Sequence, residues 1–242
     1  MLAATLQRTT RTLSYLLVFA VGAWAYGIGL LPDLLDQWDD IVYLGRQHII
    51  LVLISAGLAI AVGVPLGIAL TRQRFRRYGS VVMQLLNVGA TIPTLAVLAL
   101  SMSFLGIGDL PAIFGLFILT LLPIVSNTLT GIRAVPPHLI EAAHGMGMSP
   151  NRILWQVELP NALFVIFAGI RTAVAINVGT VPLAFLIGGG GLGELIFTGI
   201  ALNEFGIMLA GAIPTAILAI LADFIMGQIQ LWAIPRGVNP LR

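Results

Sequence analysis

Long apolar runs alternate along the chain with short segments that hold nearly all of its charge. A helix needs about 20 apolar residues to cross a bilayer. On that measure the pattern predicts spans at about 13–31, 49–70, 80–105, 111–132, 161–187 and 205–234. The expectation is an all-α polytopic membrane protein of about six transmembrane helices, one domain over 1–242, with no internal repeat. Arg8 and Arg11 precede the first run, and Ala23-Trp24-Ala25 resembles a signal-peptide cleavage site. That run exceeds the about 7–15 residues of a signal core, so a retained helix is favoured over a signal peptide. Pro65 predicts a kink late in the second span. Asn87, Thr91, Pro93 and Thr94 interrupt the third run, and Pro123, Ser126 and Asn127 sit in the fourth.

Between the fourth and fifth runs lies the longest polar-bearing connection, 136–160. Pro136-Pro137 suits a first helical turn, where the missing N–H has no partner to lose. Gly147 fits the left-handed position that ends a helix. Ser149 then reads as an N-cap with Pro150 as the first residue of a second short helix. Two helices around a glycine break suggest a docking element, although an interfacial amphipathic connector has the same local pattern.

Composition sharpens this picture. The 242 residues are 58% hydrophobic and 9% charged, against about 25% charged in soluble domains. So much apolar surface requires lipid as the solvent. The absence of cysteine excludes disulfides and thiolate metal sites. All twelve basic residues are arginines. A P-loop needs a lysine on the phosphates, so the chain holds no conventional ATP site of its own. Six spans put both ends on one side. The arginine-bearing segments 1–12, 72–77, 133–152 and 236–242 share that side, and the expected acidic loops at 33–40, Asp109 and 194–204 share the other. The positive-inside rule then gives N-in, C-in, with 136–160 in the cytoplasm. Nucleic acid is not the expected partner of these arginines.

Arg171 and Asp223 are the charges deep inside expected spans. Such charges face protein or water and pair, so a mutual pair is expected, as helix glue or as part of a pathway. Gly188, Gly190 and Gly193 form a nominal GxGxxG, but no strand precedes them, as a dinucleotide site requires. Gly190 and Gly191 read instead as part of a gate loop or a plain turn at the outer end of a span. Pathway candidates are Asn87, Thr91, Pro93, Thr94, Ser126, Asn127, Thr130, Thr172, Asn177 and Thr180, all equally able to serve as interhelical hydrogen-bond glue. Trp24, Trp38, Trp155 and Trp232 fall near interfaces, as an aromatic belt does. His48, His138 and His144 are scattered, and no carboxylate pair, HExxH or GxSxG occurs. Neither a catalytic residue nor a metal site is expected.

The stretch Glu141-Ala142-Ala143, Gly147, Val157, Leu159 and Pro160 resembles the EAA loop of importer-type ABC permeases, departing only where Val157 replaces the commoner Ile. The strings Ala90-Thr91-Ile92-Pro93-Thr94, Gly145-Met146-Gly147-Met148, Gly169-Ile170-Arg171-Thr172 and Gly188-Gly189-Gly190-Gly191-Leu192-Gly193 are similar to permeases of osmoprotectant importers for glycine betaine, carnitine, choline or proline. The resemblance implies a type I permease in a bacterial cytoplasmic (inner) membrane. It implies two copies of a cytoplasmic ATPase that bind ATP and Mg, a second permease (identical or a sister chain), and an external or periplasmic substrate-binding protein. In that family the EAA loop seats on the ATPase, which would make the seven residues coupling residues. A permease for methionine or another amino acid is the nearest alternative. A self-sufficient channel or carrier, which Arg171 and Asp223 also suit, leaves the EAA pattern unexplained.

Overall fold

The computed structural model describes residues 30–238 and, before them, only Gly22 and Gly27. The expected first span, 13–31, therefore lies almost entirely outside the described residues, as do the arginines of 1–12 and Arg242. No strand occurs among the described residues. The helices are α1 (Leu30–Asp36), α2 (Trp38–Thr71), α3 (Gly79–Thr91), α4 (Thr94–Leu105), α5 (Asp109–Arg133), α6 (Pro137–Gly145), α7 (Pro150–Ile153), α8 (Leu159–Thr180), α9 (Gly193–Leu202) and α10 (Phe205–Ala233). A π-turn, Leu154–Glu158, fuses α7 to α8, and a 3-10 stretch, Val181–Ile187, follows α8.

α5 is the axis of the bundle. It packs against α2 on one side and α8 on another, with α3 and α4 leaning on it, while α10 packs on α8 and α9. Leu98, Ala112, Leu116, Ile124, Ala162 and Ala173 are fully buried around it. Lipid supplies no hydrophobic drive between helices, so small residues that let backbones approach set such contacts. Gly67 of α2 is one: a β-carbon there would lie 2.6 Å from Thr128 Cβ and 3.1 Å from the Val125 carbonyl.

Among the described residues, four continuous helical segments are long and apolar enough to cross a membrane: Trp38–Thr71, Asp109–Arg133, Pro150–Ile187 and Phe205–Ala233. Together with the bent pair α3–α4 the count reaches five. The structure departs from the sequence expectation in several places. The stretch 33–40 is helical rather than a loop. Leu44, His48 and Leu51 recur at helical spacing and are buried, and Asp39 and Asp40 fall in the first turn of α2, where carboxylates suit the helix dipole. The run 80–105 is not one straight span but α3 and α4 meeting at 102°. Proline drives its predecessor out of the α region, and Ile92 (ψ 128°) and Pro93 (ψ 135°) are accordingly extended. The acidic 194–204 is mostly helix α9, seated on α10.

Candidate functional site

The EAA-like segment is built as its prolines and glycines suggest. Pro137 opens α6, which ends in a Schellman turn: Gly147 N–H donates to the His144 carbonyl (2.9 Å) and Met148 N–H to that of Ala143 (3.1 Å). Gly147 takes the left-handed conformation this turn needs, with φ 75°. Ser149 is extended, Pro150 starts α7, and Ile153 N–H closes its first turn on the Ser149 carbonyl at 2.9 Å. Ala143 and Ile153 are buried, which anchors the loop. Glu141, Ala142, Met146, Gly147 and Trp155 are all exposed, which gives the loop accessible surface of mixed chemistry.

The loop does not end where Pro160 suggests. Helix runs on from α7 through the π-turn into α8, with Leu159 N–H reaching back to the Leu154 carbonyl. Pro160 has no N–H to offer the preceding turn and its ring crowds the carbonyl four residues back, a recognised cause of such a bulge. Beside it, Asn161 Nδ2 donates to the Val157 carbonyl at 2.7 Å. Val157, Leu159 and Pro160 thus form the half-buried stem of the loop rather than its exposed face.

The second feature is a polar recess of ≈ 410 Å³ between the bent pair, α5 and α8. Asn87 and Thr94 reach it from α3 and α4, Ser126 and Asn127 from α5, and Thr180 from α8. These are five of the sequence-selected pathway candidates. Asn127 is held by its own helix, donating Nδ2 to the Pro123 carbonyl at 2.8 Å. Among the described residues, no charged group and no aromatic ring lines the recess. Thr91 turns its hydroxyl to the Val88 carbonyl (2.7 Å), and Pro93 shapes the bend without lining the recess. Asn177 is elsewhere: fully buried, it exchanges hydrogen bonds with Ser55 of α2 at 2.9 and 3.1 Å and ties α8 to α2.

Residues 63–233 match the family described as binding-protein-dependent transport system inner membrane component. The chain belongs to this family. It is 51% identical to the osmoprotectant import permease protein OsmY of Salmonella typhimurium over 89% of this chain and 90% of that one. It is 42% identical to the carnitine transport permease protein OpuCB of Listeria monocytogenes (81% and 89% covered). It is 40% identical to the choline transport system permease protein OpuBB of Bacillus subtilis (84% and 93% covered). Its fold is that of chains in two crystal forms of the inward-facing MetNI methionine ABC transporter. Their TM-scores are 0.68 and 0.70, at 22% identity, covering 82% of this chain and 96% of each. The protein is thus a multi-pass type I ABC permease of the osmoprotectant family in the cytoplasmic membrane.

In this permease Arg171 of α8 and Asp223 of α10 meet end to end, Nε on Oδ1 and Nη2 on Oδ2 at 2.5 Å. The two-pronged geometry aligns both donors with both acceptors. Both side chains remain partly exposed on the bundle surface, away from the recess. Removing either partner strands the other in a span, where a lone charge is costly. Arg171→Asp and Asp223→Arg are each expected to lower membrane-inserted protein by about threefold or more, with the double swap recovering most of it. Quantitative blotting of membranes checks this; a swap no better than either single removes the mutual tie.

The glycine run is a held structure rather than a slack turn. Gly190 N–H donates to Asp109 Oδ1 (3.0 Å) and Gly191 N–H to Gln47 Oε1 (3.2 Å). Gly188 and Gly189 close on the carbonyls of Phe185 and Ala184 at 3.0 and 2.9 Å. Neither Gly190 nor Gly191 lines the recess. His48 is buried with Nε2 at 3.1 Å from the Val178 carbonyl, and no group of metal-ligating side chains occurs among the described residues.

Sequence reasoning missed three contacts: the Asp109 and Gln47 clasp on the glycine run, the Ser55–Asn177 bridge, and an ion pair between Arg72 and Glu158. Only the last left a trace, an acidic residue and an arginine cluster flanking spans at the same end of the bundle.

Proposed function

We propose that this chain is one of two permease subunits of an ATP-driven importer for small quaternary amines such as glycine betaine, choline or carnitine. The observation that carries the reading is the relative named an osmoprotectant import permease, half identical over nearly the whole chain. The exposed Glu141–Gly147 face suits a docking surface for a cytoplasmic ATPase, two copies of which would bind ATP and Mg. An N-in, C-in orientation puts that face in the cytoplasm and the clasped glycine run outside, where it would act as an outer gate. An external binding protein would deliver solute, and the second permease, identical or a sister chain, would complete the pathway.

The recess fits the passage of such solutes better than their recognition. A quaternary ammonium is gripped by aromatic faces, and the described residues place none in the recess. Amides and hydroxyls offer weak, exchangeable contacts that let a solute leave as easily as it enters. Discrimination then rests with the binding protein. ATP and a loaded binding protein would bias two preexisting states of the permease pair.

The decisive test is labelled glycine betaine uptake by the whole complex, at high osmolarity, in cells lacking other betaine importers. Choline, carnitine, proline and methionine serve as competitors. ATP-dependent uptake suppressed by quaternary amines is expected. Suppression by methionine alone would transfer the reading to an amino-acid importer, and uptake surviving ATP depletion would favour a self-sufficient carrier. Ser126→Trp provides a local check, because it projects a large, rigid indole into the recess. Uptake should fall about tenfold while the complex still assembles, since overpacking of about 1–3 kcal/mol is relieved by staying out of the closed arrangement.

A further inference from the structure

Arg72 is the residue on which three elements converge: the end of α2, the turn into α3 and the start of α8. It follows the last residue of α2, and its guanidinium is pinned there by Thr71 Oγ1, at 2.9 Å from Nε and 2.7 Å from Nη2. Thr71 is itself fixed, donating to the Ile68 carbonyl at 2.6 Å. The Arg72 carbonyl accepts from Phe75 N–H (3.0 Å) and Arg76 N–H (2.9 Å), shaping the turn that launches α3. Across the bundle, Nη2 donates to Glu158 Oε2 at 2.6 Å. The other arginines of the cluster do less: Arg74 and Arg77 lie over the neighbouring rings of Phe75 and Tyr78.

Glu158 is the last residue of the π-turn, where the coupling loop passes into α8, and it is only 9% exposed. A π-turn adds one residue to the helix and so rotates the turns beyond it, which helps aim this carboxylate inward. Arg72 is its only hydrogen-bond partner among the described residues. A buried carboxylate joined to one cation forms a stiff connection, because parting them leaves an uncompensated buried charge. The linked elements are also the functional ones. The stem of the EAA-like loop lies on one side, and the start of the bent pair, whose Asn87 and Thr94 line the recess, lies on the other.

We propose that the Arg72–Glu158 pair is a positioning strut. It makes the coupling loop and the start of the bent helix pair move as one body, so that motion imposed on the loop reaches the wall of the recess. The proposal rests on the permease reading above. It assigns Arg72 a task beyond the topological one its cluster suggests.

The chain contains no cysteine, which permits a direct test on the intact complex in vesicles. Arg72→Cys with Glu158→Cys removes the strut, and a short bis-methanethiosulfonate reagent replaces it covalently. Solute imported per ATP hydrolysed is expected to fall about five- to tenfold in the unlinked variant and to return most of the way on linking. The yield of linking should be the same with ATP analogue and without nucleotide. Glu158→Gln, close in shape and uncharged, should lower the same ratio at normal membrane levels, which covers the case of a double variant that fails to accumulate. An unlinked variant with the wild-type ratio, linking that restores nothing, or linking in only one nucleotide state would overturn the strut. Absence of ATP-driven uptake in the unaltered complex would instead remove the functional reading, while the linking yields still decide whether the two elements move together.

Discussion

Gly147→Val should leave the permease in the membrane and reduce ATP-driven uptake by about tenfold or more. The residue has φ 75°, and a β-carbon placed on it would touch nothing within 4 Å. The effect therefore cannot come from a clash. It comes from the backbone: the left-handed conformation costs an L-residue about 1–2 kcal/mol, and a β-branched side chain tolerates it worst. An energy of that size changes a two-state ratio by about five- to thirtyfold. The state lost is the Schellman turn, with its bonds from Gly147 to His144 and from Met148 to Ala143. Without that turn α7 leaves α6 in another direction, and Glu141 and Ala142 lose their fixed placement relative to α7 and the stem beyond it. The expected order of damage is Asn below Ala below Val, since asparagine visits this region more readily than other side chains. Gly145→Ala supplies the control. It too has open space around the added carbon, yet it lies in ordinary helix, where alanine is the better residue. Uptake assays on membranes with matched protein levels read the series, and normal transport by Gly147→Val would refute the coupling role.

The same contrast explains which features the sequence made legible. Pro136-Pro137, Gly147 and Ser149-Pro150 act through their own backbone, so the starts of α6 and α7 and the glycine break were readable, whereas the continuous passage from α7 into α8 was not. The beginning of α2 was not. Asp39, Asp40, Arg46 and Gln47 look like loop, and only the burial of Leu44 and His48 against other helices makes the segment a continuous helix. Pro93 announces a break, but not that the two halves meet at 102°, which depends on how α3 and α4 settle on α5. Polar residues in spans are ambiguous for a deeper reason. An amide that bonds a neighbouring serine and one that lines an open recess have the same sequence signature, and Asn177 and Asn127 fall on opposite sides of that division. Arg72 and Glu158 are 86 positions apart, so no local pattern connects them.

Gly169→Ala is expected to damage the bundle itself, although it adds a single methyl group. The new carbon would lie 2.5 Å from Asn127 Cβ and 2.6 Å from the Pro123 carbonyl oxygen. Neither obstacle is the free end of a flexible chain. One is attached directly to the α5 backbone and the other is part of it, so α8 must back away from α5 as a unit. Overpacking of this kind costs about 1–3 kcal/mol, against which the better helix propensity of alanine returns about 1 kcal/mol at most. The displaced neighbour also matters, because Asn127 is a wall of the recess and its amide is bonded to the same Pro123 carbonyl. Both the thermal midpoint of the detergent-extracted complex and its uptake should therefore drop, and Gly169→Leu should barely accumulate. Gly179→Ala, on the same helix with nothing within 4 Å of the added carbon, gains the same propensity without the contact and should be neutral or slightly stabilising. Equal behaviour of the two alanine variants would mean that α8 and α5 do not approach through Gly169. A selective loss at Gly169 would show that the closeness of these two helices sets the shape of the recess between them.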